Sequence, residues 1–266
     1  MANSVSHKIT SEFFTAEGST RITWLGMAGL LINARGTVLL IDPLITIVQE
    51  QNQTLSEAGY RMKIELPITA AEIPRADLVM YTHGDDDHVG LMTARILADR
   101  LHVRFVAPPP VVKMLIEHGI PDQLVTPVYD HQTVPIGNAE IQVTPALHDW
   151  QKEKPWQRGD CCGYLAKTPD GSIWHPGDTR LIDELFAIKG VDVFMFDVAD
   201  VDAHLGSPGS ARLAASCGAR VMIPYHYGTF DLPPGSFGSY DPDGALPYVK
   251  ELSAQFLRLN PGKPIL

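Results

Sequence analysis

An α/β fold of two sheets packed together, with helices outside, is predicted by three observations. Short β-rich runs punctuated by glycine open the chain. Strands then alternate with helices from residue 66 onward, and a second alternating set follows. No repeat, low-complexity tract or linker divides the 266 residues, so 1–266 reads as one domain.

The opening strands are Arg21–Leu25, Leu30–Ala34 and Thr37–Ile41, the last two forming a hairpin around Arg35-Gly36. Ile47–Glu65 follows, polar at its centre and without clear periodicity. A segment that long between elements predicts a flap or a partly helical insertion. Ala76–Tyr81 reads as a buried strand and Leu91–Leu101 as a helix with apolar residues at helical spacing. Val103–Ala107 is a strand, and Pro109–His118 a helix that starts on prolines and stops at Gly119. Strands are expected near Gln123–Tyr129, Ala139–Pro145, Gly163–Lys167 and Ser172–His175. Thr179–Ile188 then predicts a helix, Val191–Val198 a very apolar strand, Pro208–Cys217 a helix, Arg220–Pro224 a strand and Leu246–Leu257 a closing helix.

Composition removes several classes of function. With 21 basic against 31 acidic side chains the formal charge is −10, which argues against a nucleic-acid binder. It does not argue against small anionic substrates, because bound cations reverse local charge. No apolar run approaches the ~18 residues of a membrane span, and the first ten residues lack the charged and apolar regions of a secretory leader. Three cysteines without a C-x-x-C pair suit a reducing cytoplasm rather than a disulfide scaffold. A small-molecule substrate is the expected partner, and self-association stays open.

The strongest local signal is Tyr81-Thr82-His83-Gly84-Asp85-Asp86-Asp87-His88, which follows a buried strand and precedes a helix. Five potential metal ligands crowd six residues, and the packed carboxylates repel one another unless something neutralises them, as a divalent cation does. A solvated acidic turn is the plainer explanation of that stretch taken alone. Three further residues weigh against it: His148 ends I-Q-V-T-P-A-L-H, Asp178 lies in W-H-P-G-D-T, and His226 ends R-V-M-I-P-Y-H. Each sits where a strand yields to a loop, so all can converge at one sheet edge.

In these stretches the chain resembles the metallo-β-lactamase superfamily, and within it metal-dependent hydrolases similar to ascorbate-6-phosphate lactonase. T-W-L-G-M-A-G-L-L-I-N with V-L-L-I-D-P, T-H-G-D-D-D-H-V-G, A-L-H-D, W-H-P-G-D-T and I-P-Y-H-Y-G-T-F occur in the family's order across about residues 20 to 231. The resemblance implies an αβ/βα four-layer sandwich of two mixed β-sheets with helices on the outer faces. It also implies two divalent metal ions, Mn, Fe or Zn. His83 and His148 would bind the first, Asp87, His88 and His226 the second, and Asp178 would bridge them. The family motif H-x-H-x-D-H is broken here: Asp85 stands at its second histidine. A third carboxylate lowers the site's charge by one and shifts preference toward harder metals. Asp85 could coordinate directly, reach the ion through a water, or leave the first site weakly occupied.

The activity this implies is hydrolysis of a small, anionic ester, lactone or phosphoester by a metal-bound hydroxide, with Asp87 also orienting the nucleophile. Asp42, Thr82 and Asp149 are positioned to orient the imidazoles. His175, His204, Tyr227 and Arg180 are candidate substrate contacts. Each has a structural alternative, as do Tyr225, Trp150, Trp156, Lys152, Lys154 and Arg158. Asp197, Asp200 and Asp202 are explained as well by solvation or capping as by binding. Two rivals remain: a flavodiiron-like redox centre, although the chain has no room for a flavodoxin-type donor, and a non-catalytic metal-binding or sensory module.

Overall fold

A computed structural model describes residues 5–16 and 18–265. The first four residues, read above for a leader, lie outside the described residues. β1 (Arg21–Gly26), β2 (Gly29–Ala34) and β3 (Thr37–Ile41) form an antiparallel meander. Ala34 pairs with Thr37 across Arg35-Gly36, both at positive φ, as a tight two-residue hairpin requires. β6 (Leu78–Met80), β7 (Arg104–Ala107) and β8 (Val125–Pro127) extend the sheet in parallel from β3, giving the order β1-β2-β3-β6-β7-β8.

The second sheet has seven strands, ordered β15-β14-β13-β12-β11-β10-β9. β9 (Thr133–Ile136), β10 (Ala139–Pro145), β11 (Cys162–Thr168) and β12 (Gly171–His175) are antiparallel neighbours. β13 (Val193–Asp197), β14 (Val221–Tyr225) and β15 (Gln255–Phe256) continue in parallel from β12. Both sheets are therefore mixed. β10, β12, β13 and β14 all run the same way, so their carboxyl ends share one edge.

Period-two alternation explains why the first sheet's strands read as unbroken apolar runs. Leu30, Ile32, Leu39 and Ile41 join one core cluster with Ile141, Val143, Tyr164 and Trp174 of the second sheet. Leu31, Val38, Leu40, Val79 and Phe105 point the other way, against Leu97 of α1 (Leu91–Leu101) and Leu115 of α2 (Pro109–Glu117). Both faces are buried, and burying each such side chain contributes about 1.5–3 kcal/mol. α3 (Gly206–Cys217) lies against β13. No helix among the described residues is long and apolar enough to cross a membrane.

Three expectations change. Thr179–Ile188 is not a helix: the Arg180 N–H donates to the Leu147 carbonyl at 2.8 Å and Leu147 N–H to the Thr179 hydroxyl at 2.9 Å. These bonds tie the segment's start to the neighbouring loop, leaving only a 3-10 turn at Asp183–Ala187. The closing helix is a single turn, α4 (Leu246–Val249), after which the chain returns as β15 to pair with β14 and cover its edge. Within Ile47–Glu65, β4 (Ile47–Glu50) and β5 (Gln53–Ser56) form a hairpin with no helical part. Its turn residues Gln51 and Asn52 both have positive φ. Both strands are mostly solvated, so no apolar alternation marks them. Strand β9 was not foreseen.

Candidate metal centre

The chemistry-bearing residues sit just past the carboxyl ends of strands. Asp42 follows β3, His83 to His88 follow β6, His148 follows β10, Asp178 follows β12, Asp197 ends β13 and His226 follows β14. In open sheets this is where ligands bind. A close approach brings the β12 loop in. Gly177 has φ of 65°, and a Cβ there would lie 2.8 Å from the Cys162 carbonyl oxygen and 2.9 Å from Thr82 Cβ. Asp42 and His226 also adopt positive φ, at 44° and 68°. Such backbone strain costs on the order of 1–3 kcal/mol and persists where surrounding contacts enforce it.

Four imidazoles share one arrangement: Nδ1 is anchored and Nε2 turns inward. His88 Nδ1 lies 2.8 Å from Asp42 Oδ2, His148 Nδ1 3.0 Å from the Ala203 carbonyl, and His226 Nδ1 3.3 Å from the Phe237 carbonyl. His83 Nδ1 lies 2.9 Å from Thr82 Oγ1. The Thr82 hydroxyl donates its own proton to Asp42 Oδ2 at 2.6 Å, so it accepts from His83 Nδ1–H. His83 Nε2 is then an unprotonated lone pair. Burial, with His88 nearby, lowers the His83 pKa, in keeping with a neutral ring.

The inward nitrogens face carboxylates. Asp85 Oδ2 is 3.2 Å from His148 Nε2 and 3.5 Å from His83 Nε2, and it accepts from Trp150 Nε1 at 2.9 Å. Asp178 Oδ2 is 3.2 Å from His88 Nε2, 3.4 Å from His226 Nε2 and 3.6 Å from His204 Nδ1. Asp87 Oδ2 is 3.0 Å from His226 Nε2. The Tyr225 hydroxyl donates to the Gly177 carbonyl at 2.8 Å and lies 3.4 Å from Asp178 Oδ1.

These contacts set the protonation states. Burial pushes the Asp85, Asp87 and Asp178 carboxyls up, but the surrounding imidazoles outweigh it and hold all three below the usual range. Burial likewise opposes charge on His88 and His226, yet Asp178 foremost, then other carboxylates, raise both. His204 is lifted to about 9 against its burial by Asp197 and Asp178.

Donor chemistry and spacing fit divalent cations. Ligands on one ion with bonds of ~2.1 Å stand about 3.4 Å apart in a tetrahedron, close to the separations here. Two groups, His83 with His148 and Asp178, and Asp87 with His88 and His226, each offer ligand atoms within 4.8 Å of one another. A third such group is Asp178, Asp197, His204 and His226. His83 Nε2 adds a sharper observation, being buried without a hydrogen-bond partner; Asp85 at 3.5 Å misses bonding geometry. Leaving such an atom unpaired costs about 1–3 kcal/mol, and a cation removes that cost.

A cavity of about 540 Å³ opens onto these groups, lined also by Tyr60, Trp150, Asp86, Asp202 and Phe237. The structure brings His83, Asp85, Asp87, His88, His148, Asp178 and His226 together and adds His204 at the wall. Others fall elsewhere. His175 is fully buried, with Nε2 donating to the Ala28 carbonyl and Nδ1 accepting from Gly177 N–H, so it supports the fold and does not reach the cavity. Tyr227 turns away too: its hydroxyl donates to the Leu259 carbonyl and its ring stacks on Trp24. Arg180 is held by Asp149 and Asp202 beside the cavity, so Asp149 orients a guanidinium rather than an imidazole. Arg158 pairs with Glu184, and Trp156 packs edge-on against His83.

Asp197, set aside from sequence, is fully buried against His204 and His226. Its signal was its place at the end of a very apolar strand. Tyr60 and Phe237 carried no local signal. Replacing Asp42 with asparagine should weaken cation affinity about 10–100-fold, because it frees His88 Nδ1 and Thr82 together. Competition with a chromogenic chelator measures this, and unchanged affinity would rule out the tethering role.

Comparison with known proteins places these features in context. A family model described as a β-lactamase superfamily domain matches residues 37–227. A UPF0173 metal-dependent hydrolase of Nitratidesulfovibrio vulgaris is 31% identical over 222 residues, covering 79% of this chain and 81% of its own. One of Pyrobaculum aerophilum is 29% identical over 216 residues, covering 80% and 86%. The solved structure of a metallo hydrolase from Ignicoccus hospitalis matches in fold with a TM-score of 0.70, at 19% identity, over 92% of this chain and 97% of that one.

Proposed function

This chain belongs to the metallo-β-lactamase superfamily, and from that premise we propose that it is a metal-dependent hydrolase of a small ester, lactone or phosphoester. The observation that carries this is the inward set of Nε2 atoms, above all the unpartnered one on His83. His83, Asp85 and His148 would hold one divalent cation, Asp87, His88 and His226 a second, with Asp178 serving both. Mixed imidazole and carboxylate donors suit manganese, iron or zinc. Such ions, when bound, supply Lewis acidity to a substrate oxygen and lower the pKa of water.

The chain's own residues do the rest. Asp87 lines the cavity, and its deprotonated carboxylate orients the attacking water. Asp42 and Thr82 fix the ring orientations of His88 and His83. Tyr225 steadies Asp178 from behind, and Trp150 holds Asp85. The sheets and helices are read as one αβ/βα four-layer domain, with the β4–β5 segment as a flap contributing Tyr60. Three buried, unpaired cysteines suit a reducing cytoplasm. The relatives' description as metal-dependent hydrolases supports hydrolysis over a redox or sensory role.

The test pairs metal analysis of chelator-free protein with a turnover screen over esters, lactones, phosphodiesters and thioesters. Loading should release protons, since His88 and His226 are held protonated by their carboxylates without a cation. Affinity should therefore rise with pH through the neutral range. Protein that retains no metal and turns over nothing would end the proposal.

A further inference from the structure

The cavity wall contains five carboxylates and neither lysine nor arginine, which bears on the charge of whatever enters. Under the hydrolase reading, on which this inference rests, the cations offset Asp85, Asp87 and Asp178. Asp202 is already paired with Arg180 at 2.6 Å. Asp86 is left over. It is exposed, and its Oδ1 accepts from the Tyr60 hydroxyl at 2.9 Å. No lysine or arginine pairs with it among the described residues.

Aromatic rings line the same cavity as that carboxylate. Tyr60 and Phe237 meet edge to face at 5.7 Å, and Tyr60 stacks on Phe230 at 5.0 Å, which braces the pair. Trp150, fixed at its Nε1 by Asp85, lines the cavity and stays 52% exposed. Three rings from distant segments and one carboxylate without a lysine or arginine partner line one wall, and ring faces attract ammonium groups and repel anions.

We propose that this pocket selects a substrate bearing an organic cation, recognised by Asp86 and the rings of Tyr60, Trp150 and Phe237. The anionic group expected from sequence would meet neither lysine nor arginine on this wall, and His204 is already paired with Asp197 and Asp178.

Three aryl esters with one leaving group, differing only in a distal trimethylammonio, tert-butyl or sulfonate group, test this on the metal-loaded protein. Each rate is divided by its hydroxide-catalysed rate. The cationic ester should exceed the sulfonate in kcat/KM by about tenfold or more, and Asp86→Lys should collapse or invert that ratio. Equal or better turnover of the sulfonate overturns the proposal. Should none of the esters turn over, the hydrolytic reading is at fault for esters, and binding still judges the pocket. Phenyltrimethylammonium should quench tryptophan fluorescence at lower concentration than benzenesulfonate, and Trp150→Phe should remove the quench. Equal or reversed affinities, or quenching that survives Trp150→Phe, overturns it.

Discussion

Replacing Asp178 with alanine should strip bound cation from the protein and lower hydrolysis on the order of a thousandfold or more. One oxygen of this side chain lies 3.2 Å from His88 Nε2 and 3.4 Å from His226 Nε2. The same carboxylate groups with His83 and His148. Among the described residues no other acid lies among both sets of imidazoles, so its loss weakens both at once, whereas loss of Asp85 or Asp87 touches one. Asp178 is also almost wholly buried, so water cannot readily substitute for it. Elemental analysis and turnover are read together, with Asp178→Asn as a companion that preserves volume and removes charge. Thermal unfolding of both variants separates a lost cation from a lost fold. Retention of full metal content and rate by the alanine variant would remove Asp178 from the centre.

Much of the candidate centre was legible because most of its contributors follow an apolar run. Burying such a strand places its last residues at a sheet edge, and a histidine or aspartate there stands out against Val, Ile and Phe. His83, His148, Asp178 and His226 announce themselves this way, and His88 through the acidic stretch that precedes it. Asp197 ends a strand too, but Asp200 and Asp202 nearby make it resemble one more solvated loop acid; burial alone distinguishes it.

Side-chain direction was harder to read. Tyr225, His226 and Tyr227 are consecutive, and only the middle ring faces the cavity, because His226 adopts a left-handed backbone conformation. His175 lies three residues from Asp178, yet Gly177 bends the chain between them and leaves His175 inside the core. Local propensity failed where tertiary contacts claimed the backbone. The bond from Arg180 N–H to the Leu147 carbonyl consumed the start of an expected helix, and strand β14 recruited the end of another. The pocket's aromatics come from three loops, and no window of sequence contains all of them.

Asp85→His should shift metal preference toward zinc over manganese by about tenfold or more, because an imidazole replaces a hard oxygen donor. The position permits a direct donor: Asp85 Oδ2 is 3.2 Å from His148 Nε2 and 3.5 Å from His83 Nε2, separations suited to a shared ion. Its placement against Trp150 Nε1 holds that oxygen in place. A longer imidazole would displace the tryptophan, so some loss of turnover should accompany the change in selectivity. The measurement is loading from equimolar zinc and manganese, with the bound ratio read by elemental analysis. If Asp85 acts only by holding Trp150, the ratio will not move, while Trp150→Phe will mimic the aspartate variant in turnover. A ratio that moves with Asp85 and stays fixed with Trp150→Phe identifies the carboxylate as a donor. Direct coordination therefore stands or falls on the bound ions, independently of which substrate the pocket takes.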